Sequence, residues 1–137
     1  MEKQFDYVTR LDIRYDHFEK IDIPRMVQEC TDKWFNQTLT KVNASVVRLG
    51  IVEGEYHWHK HDNDDEFFFV LEGQFFIDLE DRTIELNAFE GVTISKGIMH
   101  RPIAPKKAVV LMVETGSIFG QYKLKNSNNI VYLIEYQ

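Results

Sequence analysis

Apolar residues along this chain follow two periods. Between positions 22 and 34, Ile23, Met26, Val27, Cys30 and Trp34 recur at three- and four-residue spacing, the stripe that lets one face of a helix bury itself. Asp22 stands where a cap side chain accepts a free backbone N–H, and Pro24 fits the first turn, where its missing N–H costs nothing. The pattern predicts a short helix over 23–33. Elsewhere the alternation is two-residue. Segments at about 37–42, Val46–Val52, Gln74–Leu79, Thr83–Leu86, Val92–Ser95, Ile103–Ala104, Ala108–Glu114 and Ile130–Tyr136 read as strands between clusters of turn formers. Leu11, Ile13 and Tyr15 alternate in the same way near the start, and Lys123–Asn129 reads as an exposed loop. Many short strands at close intervals predict an all-β barrel or sandwich.

Residues 57–73 hold three of the five histidines and the densest run of aromatics. His57, His59 and His61 alternate with Trp58 and Lys60, so on a strand the three imidazoles share one face. Asp62, Asn63, Asp64 and Asp65 are turn formers and predict a four-residue hairpin loop. In that hairpin His61 lies opposite Glu66, Phe68 opposite His59 and Val70 opposite His57, so that His59, His61 and Glu66 converge. Two imidazoles and a carboxylate suit a borderline divalent metal.

The same register sends Phe68 and Val70 to line the cavity and puts Phe67, Phe69 and Leu71 on the other face, where an exposed sheet would be polar. Val109, Leu111 and Val113 repeat the pattern. The cover for that strip is the chain's own ends, a second sheet, or a second copy of the chain; a homodimer is the expectation.

The spacing His59-x-His61, four residues, Glu66, six residues, Gly73 resembles the first motif of the cupin family, and Gly97-Ile98-Met99-His100 is similar to the Gly-x-x-His core of its second motif. Around them, Trp58-His59-Lys60-His61 and Asp65-Glu66-x-Phe68 resemble the small cupins labelled mannose-6-phosphate-isomerase-like. The second motif departs from the family pattern at Ser95 (usually proline), at Phe89 (usually glycine, with Gly91 displaced) and at Ala104 (often asparagine). The resemblance implies a double-stranded β-helix, or jelly roll, with its barrel at about 43–114 inside a single cupin domain spanning 1–137. It implies one divalent transition metal per chain (Zn, Fe, Ni or Mn), held by His59, His61, Glu66 and His100. The family pattern does not use His57 as a ligand, which leaves it beside the site as the candidate catalytic base. Sugar isomerases and epimerases, dioxygenases and non-catalytic small-ligand binders share this fold, so three readings stay open. They are a metal-dependent isomerase acting on a small sugar-like or carboxylate-containing molecule, a binding module or sensor, and a dioxygenase.

Bulk properties narrow the partners. A net charge of −6, with basic residues scattered along the chain, argues against nucleic acid or an anionic membrane surface. No run approaches the roughly 18 apolar residues of a membrane span, and Met1–Tyr15 lack the apolar stretch of a signal peptide. The single Cys30 has no internal disulfide partner, which fits a cytoplasmic setting. No nucleophile motif, phosphate-binding glycine loop or dinucleotide fingerprint is present, so any chemistry runs through the metal cluster. Among the basic residues, Lys60 has the parity opposite to the histidines, Arg101 adjoins His100, and Arg48 is the remaining candidate to face inward.

Overall fold

The structure, a computed structural model of the chain, describes residues 7–116, 123–127 and 130–134. Its elements are β1 (Tyr7–Arg10), α1 (Ile23–Glu29), β2 (Trp34–Val42), β3 (Ser45–Glu55), β4 (Glu66–Glu72), β5 (Phe75–Asp78), β6 (Thr83–Leu86), β7 (Gly91–Ile94), β8 (Arg101–Thr115), β9 (Lys123–Ser127) and β10 (Ile130–Ile134). Eight strands form one sheet in the order β1-β2-β3-β8-β4-β7, with β5 joined to the front of β8 and β6 to β5. The all-β jelly-roll expectation holds.

β8 is the spine. Its first residues pair with β5 (Asp78↔Arg101 to Phe76↔Ile103), its later ones pair with β4 (Phe67↔Val113 to Glu72↔Val109), and β3 runs along its other edge from Ser45↔Thr115 to Glu55↔Ile103. Sequence patterning splits this strand in two at Pro105-Lys106-Lys107. Those exposed residues interrupt the alternation, yet the backbone stays extended through them. Beside the spine, β3 shifts register between Val52 and Gly54, and Gly54 takes a positive φ of 118°.

Inward-facing residues Trp34, Val52, Phe68, Val70, Phe75, Ile77, Ala108 and Val110 belong to the main core. A second core lies on the outer face, where Tyr15, Leu39, Leu49, Ile51 and Val109 are covered by Ile21, Ile23, Met26, Val27 and Cys30, with Leu71 and Leu111 packed beside them. The N-terminal segment and α1 therefore cover much of the apolar strip from within the chain. Phe67 and Phe69 stack at 6.2 Å alongside and stay half-buried.

Other expectations are corrected. The N-terminal strand is Tyr7–Arg10, parallel to β2, whereas Leu11–Tyr15 are irregular and anchored by Arg14 and Tyr15 N–H bonds to Thr38 and Leu39 carbonyls. The helix starts as expected, with Asp22 Oδ1 accepting from Arg25 N at 3.1 Å, but ends at Glu29. Trp34 is not on its stripe; it opens β2 opposite Val52 and points into the barrel. Lys123–Ser127 is a strand, paired antiparallel with β10. No helix among the described residues is long and apolar enough to cross a membrane.

Candidate metal centre

The predicted hairpin does not form. β4 pairs with β7 on one side (Glu66↔Ile94) and β8 on the other, which leaves no edge for residues 57–61. Instead His59 makes a single bridge to His100, with His59 N donating to His100 O at 3.0 Å and His100 N to His59 O at 2.8 Å. Gly97 N donates to His61 O at 2.7 Å, from a turn whose φ of 81° favours glycine. The two motifs are thus clamped together by backbone. The acidic loop adds two staples: Asp64 accepts from Thr115 N at 3.0 Å and Thr115 Oγ1 at 2.5 Å, and Asp65 accepts from Lys96 N at 2.9 Å.

Despite the different pairing, His59, His61, Glu66 and His100 converge. One donor atom from each lies within 4.8 Å of the others. His61 Nε2 is 3.1 Å from Glu66 Oε1 and His100 Nε2 is 3.4 Å from the same oxygen. His59 Nδ1 meets His57 O at 2.8 Å and His100 Nδ1 meets Ile98 O at 2.9 Å. A carbonyl can only accept, so each Nδ1 carries the proton and each Nε2 presents a lone pair. The buried His100 Nε2 has no partner in hydrogen-bond geometry. Two imidazoles oriented in this way, with the His61 imidazole and the Glu66 carboxylate beside them, fit a borderline divalent cation.

Electrostatics agree. Burial, with His100 and His61 beside it, pushes the His59 imidazole down to about 3, so it stays in the neutral form a metal requires. Burial alone would raise the Glu66 carboxyl, but the charge and hydrogen bond of His61 beside it outweigh that, and the group stays ionised.

The cluster opens onto a cavity of about 90 Å³ inside the barrel, walled by Trp34, Tyr56, Phe68 and Phe75 among others. His57 lines it without belonging to the cluster, its ring 4.8 Å from Tyr56 and 4.7 Å from Tyr7, and burial lowers its pKa. Phe68 is on the wall as expected; Val70 is fully buried in the same core but is not a wall residue. Tyr56, stacked on Trp34 at 5.3 Å and edge-on to His59, keeps its phenol proton because burial raises its pKa.

Three polar wall residues escape the motif reading: Asn36, Arg48 and Glu114. Arg48 is buried, not on the surface, although Lys60 does point out to pair with Asp62 at 3.1 Å. Arg101 is held by Asp78 at 2.8 Å, with Trp58 against its guanidinium. The available signal was parity, since Arg48 shares that of Gly50 and Val52, and Glu114 that of Val110 and Met112.

Comparison with known proteins is consistent with this geometry. Residues 47–115 match the family described as Cupin domain. The chain is 40% identical over 90 residues to the uncharacterized protein YdbB of Bacillus subtilis (strain 168), covering 65% of this chain and 80% of that protein. Among solved structures, a cupin-2 domain containing protein from Shewanella frigidimarina NCIMB 400 is similar at 32% identity and a TM-score of 0.66, covering 69% of this chain and 93% of that one. Protein NMB1881 from Neisseria meningitidis shares the fold at 21% identity and a TM-score of 0.63, covering 71% and 99%.

Proposed function

Because the chain belongs to the cupin family, we propose that it is a divalent-metal cupin that takes a small oxygen-rich molecule into the barrel and isomerises it. The observation that carries this reading is the buried set of three imidazoles and one carboxylate opening onto an aromatic-walled cavity. His59, His61, Glu66 and His100 would hold the metal, which when bound supplies Lewis-acid polarisation of a ligand oxygen.

The protein's own residues do the rest. Trp34, Phe68 and Phe75 exclude water from the bound molecule. His57, neutral because burial lowers its pKa, takes a proton from the carbon beside a ligand carbonyl and returns it to the neighbouring atom, so no oxidant or reductant is consumed. Tyr56 keeps its proton and orients the ligand through its hydroxyl.

A thermal-shift screen of small sugars, sugar phosphates and keto acids on metal-loaded protein, followed by product analysis of each hit, tests the reading. An isomer of the hit is expected, and His57→Ala should keep metal and ligand affinity while losing most turnover. A hit returned unchanged after long incubation leaves a binding module, and a product formed only in air assigns dioxygenase chemistry instead. The half-buried Phe67 and Phe69 carry the homodimer proposal, which a purely monomeric sedimentation profile at micromolar concentration would rule out.

A further inference from the structure

Beside the cluster lies a buried charged pair that the proposed reaction leaves unused. Arg48 is 4% exposed and Glu114 6%, and both belong to the cavity wall together with Asn36. Arg48 Nη1 lies 3.6 Å from Glu114 Oε1, too far for a hydrogen bond but near enough to balance the charge. Arg48 Nη2 donates to Asn36 Oδ1, and Asn36 Nδ2 donates to Thr9 Oγ1 at 3.1 Å. The Asn36 bond uses one of the five guanidinium N–H donors.

Strand register sets where this group stands. Arg48 is opposite Met112, which is opposite Phe68, so Arg48 sits two strands across from β4. Glu66 is two residues along β4 from Phe68, and the same register carried one step past Phe67↔Val113 brings Glu114 alongside Glu66. Two strand spacings and two residues of rise put the Arg48 and Glu66 backbones roughly 12 Å apart along the sheet that walls the cavity. Side chains reaching inward from these two strands leave room for a molecule of few atoms. The interior of about 90 Å³ agrees, since it holds ~six to nine water-sized positions.

Charge then selects the ligand. A divalent cation less the Glu66 charge leaves one positive charge, and the Arg48–Glu114 pair adds none. A carboxylate neutralises that site, whereas a phosphate monoester, at about −1.5 to −2, overshoots it. A guanidinium fork also matches a carboxylate in two parallel hydrogen bonds. We infer that Arg48, positioned by Asn36 and balanced by Glu114, recognises the carboxylate of a small organic acid whose other oxygen function faces His59, His61, Glu66 and His100. This rests on the metal reading above and narrows its substrate to a monoanionic acid.

The test is titration calorimetry on zinc-loaded protein, with metal content counted by elemental analysis in every sample. Lactate and pyruvate are expected to bind at least about tenfold more tightly than lactamide or inorganic phosphate. The double variant Arg48→Gln with Glu114→Gln keeps the wall neutral and should retain its zinc while losing at least about tenfold in lactate and pyruvate affinity. If that variant does not fold, Arg48→Lys keeps the charge without the fork and should show a loss of about tenfold. Undiminished affinity in the variants, phosphate binding more tightly than the acids, or no acid bound to zinc-loaded protein would each overturn the inference while leaving the metal centre intact. A protein that holds no zinc overturns the metal reading itself, and elemental analysis separates that failure from the others.

Discussion

The barrel interior holds two polar clusters built in opposite ways. His59, His61 and Glu66 come from one eight-residue stretch and gain His100 through a single backbone bridge. Asn36, Arg48 and Glu114 come from three separate strands, β2, β3 and β8, and meet only because Asn36↔Gly50 and Arg48↔Met112 fix the register. The first cluster can be assembled by local chain geometry plus one contact. The second exists only once the sheet is complete. Damage to the first should therefore cost metal while sparing the fold, and damage to the second should cost the fold.

The largest expected effect follows from that contrast. Arg48→Met removes the buried cation that balances Glu114 and should destabilise by about 3–5 kcal/mol in urea denaturation, whereas Arg48→Met combined with Glu114→Met should cost far less. Equal costs for the two would show that the pair is not coupled.

On the metal side, cation at a hundred times its dissociation constant should add about 2.7 kcal/mol to stability, a melting shift of roughly 8–12 °C for a domain of this size. Chelation, His59→Ala, His61→Ala or His100→Ala should each abolish that shift, and His57→Ala should keep it. A shift that survives in all three ligand variants would place the metal elsewhere.

How legible each cluster was follows from the same difference. Histidine spacing and the Gly-x-x-His turn exposed the first, although the pairing inferred for it was wrong. Residues 57–61 could not form a hairpin with β4 because β7 and β8 already occupy both its edges, a fact about the whole sheet. Arg48 and Glu114 left only a parity hint, since sequence shows that two inward charges exist but not that adjacent strands bring them together. Trp34 misled for a related reason: it continues a helical period by one turn, yet tertiary packing against Val52 and Tyr56 claims it for β2. Pro105-Lys106-Lys107 hid the continuity of the spine strand because solvent exposure on both sides erases alternation.

Two smaller effects sharpen the picture of the local cluster. Asp64→Ala removes both bonds to Thr115 and should cost about 1.5–3 kcal/mol by thermal melting, with weaker metal binding because the loop carrying His61 loosens. An unchanged metal affinity would mean the bridge from His59 to His100 suffices alone. The smallest effect concerns the glycine missing from the second motif. Phe89 is exposed and holds a left-handed φ of 66°, with its N–H on Val70 O at 2.7 Å, so the glycine-type turn forms with phenylalanine in place. That backbone costs roughly 1–2 kcal/mol, offset by about 0.4–1 kcal/mol of extra unfolded-state entropy in glycine. Phe89→Gly should stabilise by about 0.5–1 kcal/mol, and a destabilised variant would show that the ring makes contacts worth more than the strain.

The central claim is that the locally built cluster is a metal centre. An anomalous difference map at the zinc edge, from crystals of the zinc-loaded protein, addresses it directly. The account predicts one peak per chain about 2.0–2.2 Å from the Nε2 atoms of His59, His61 and His100 and from the Glu66 carboxylate. A peak seated instead on the exposed carboxylates of the 62–65 loop, or no peak inside the barrel, would contradict it.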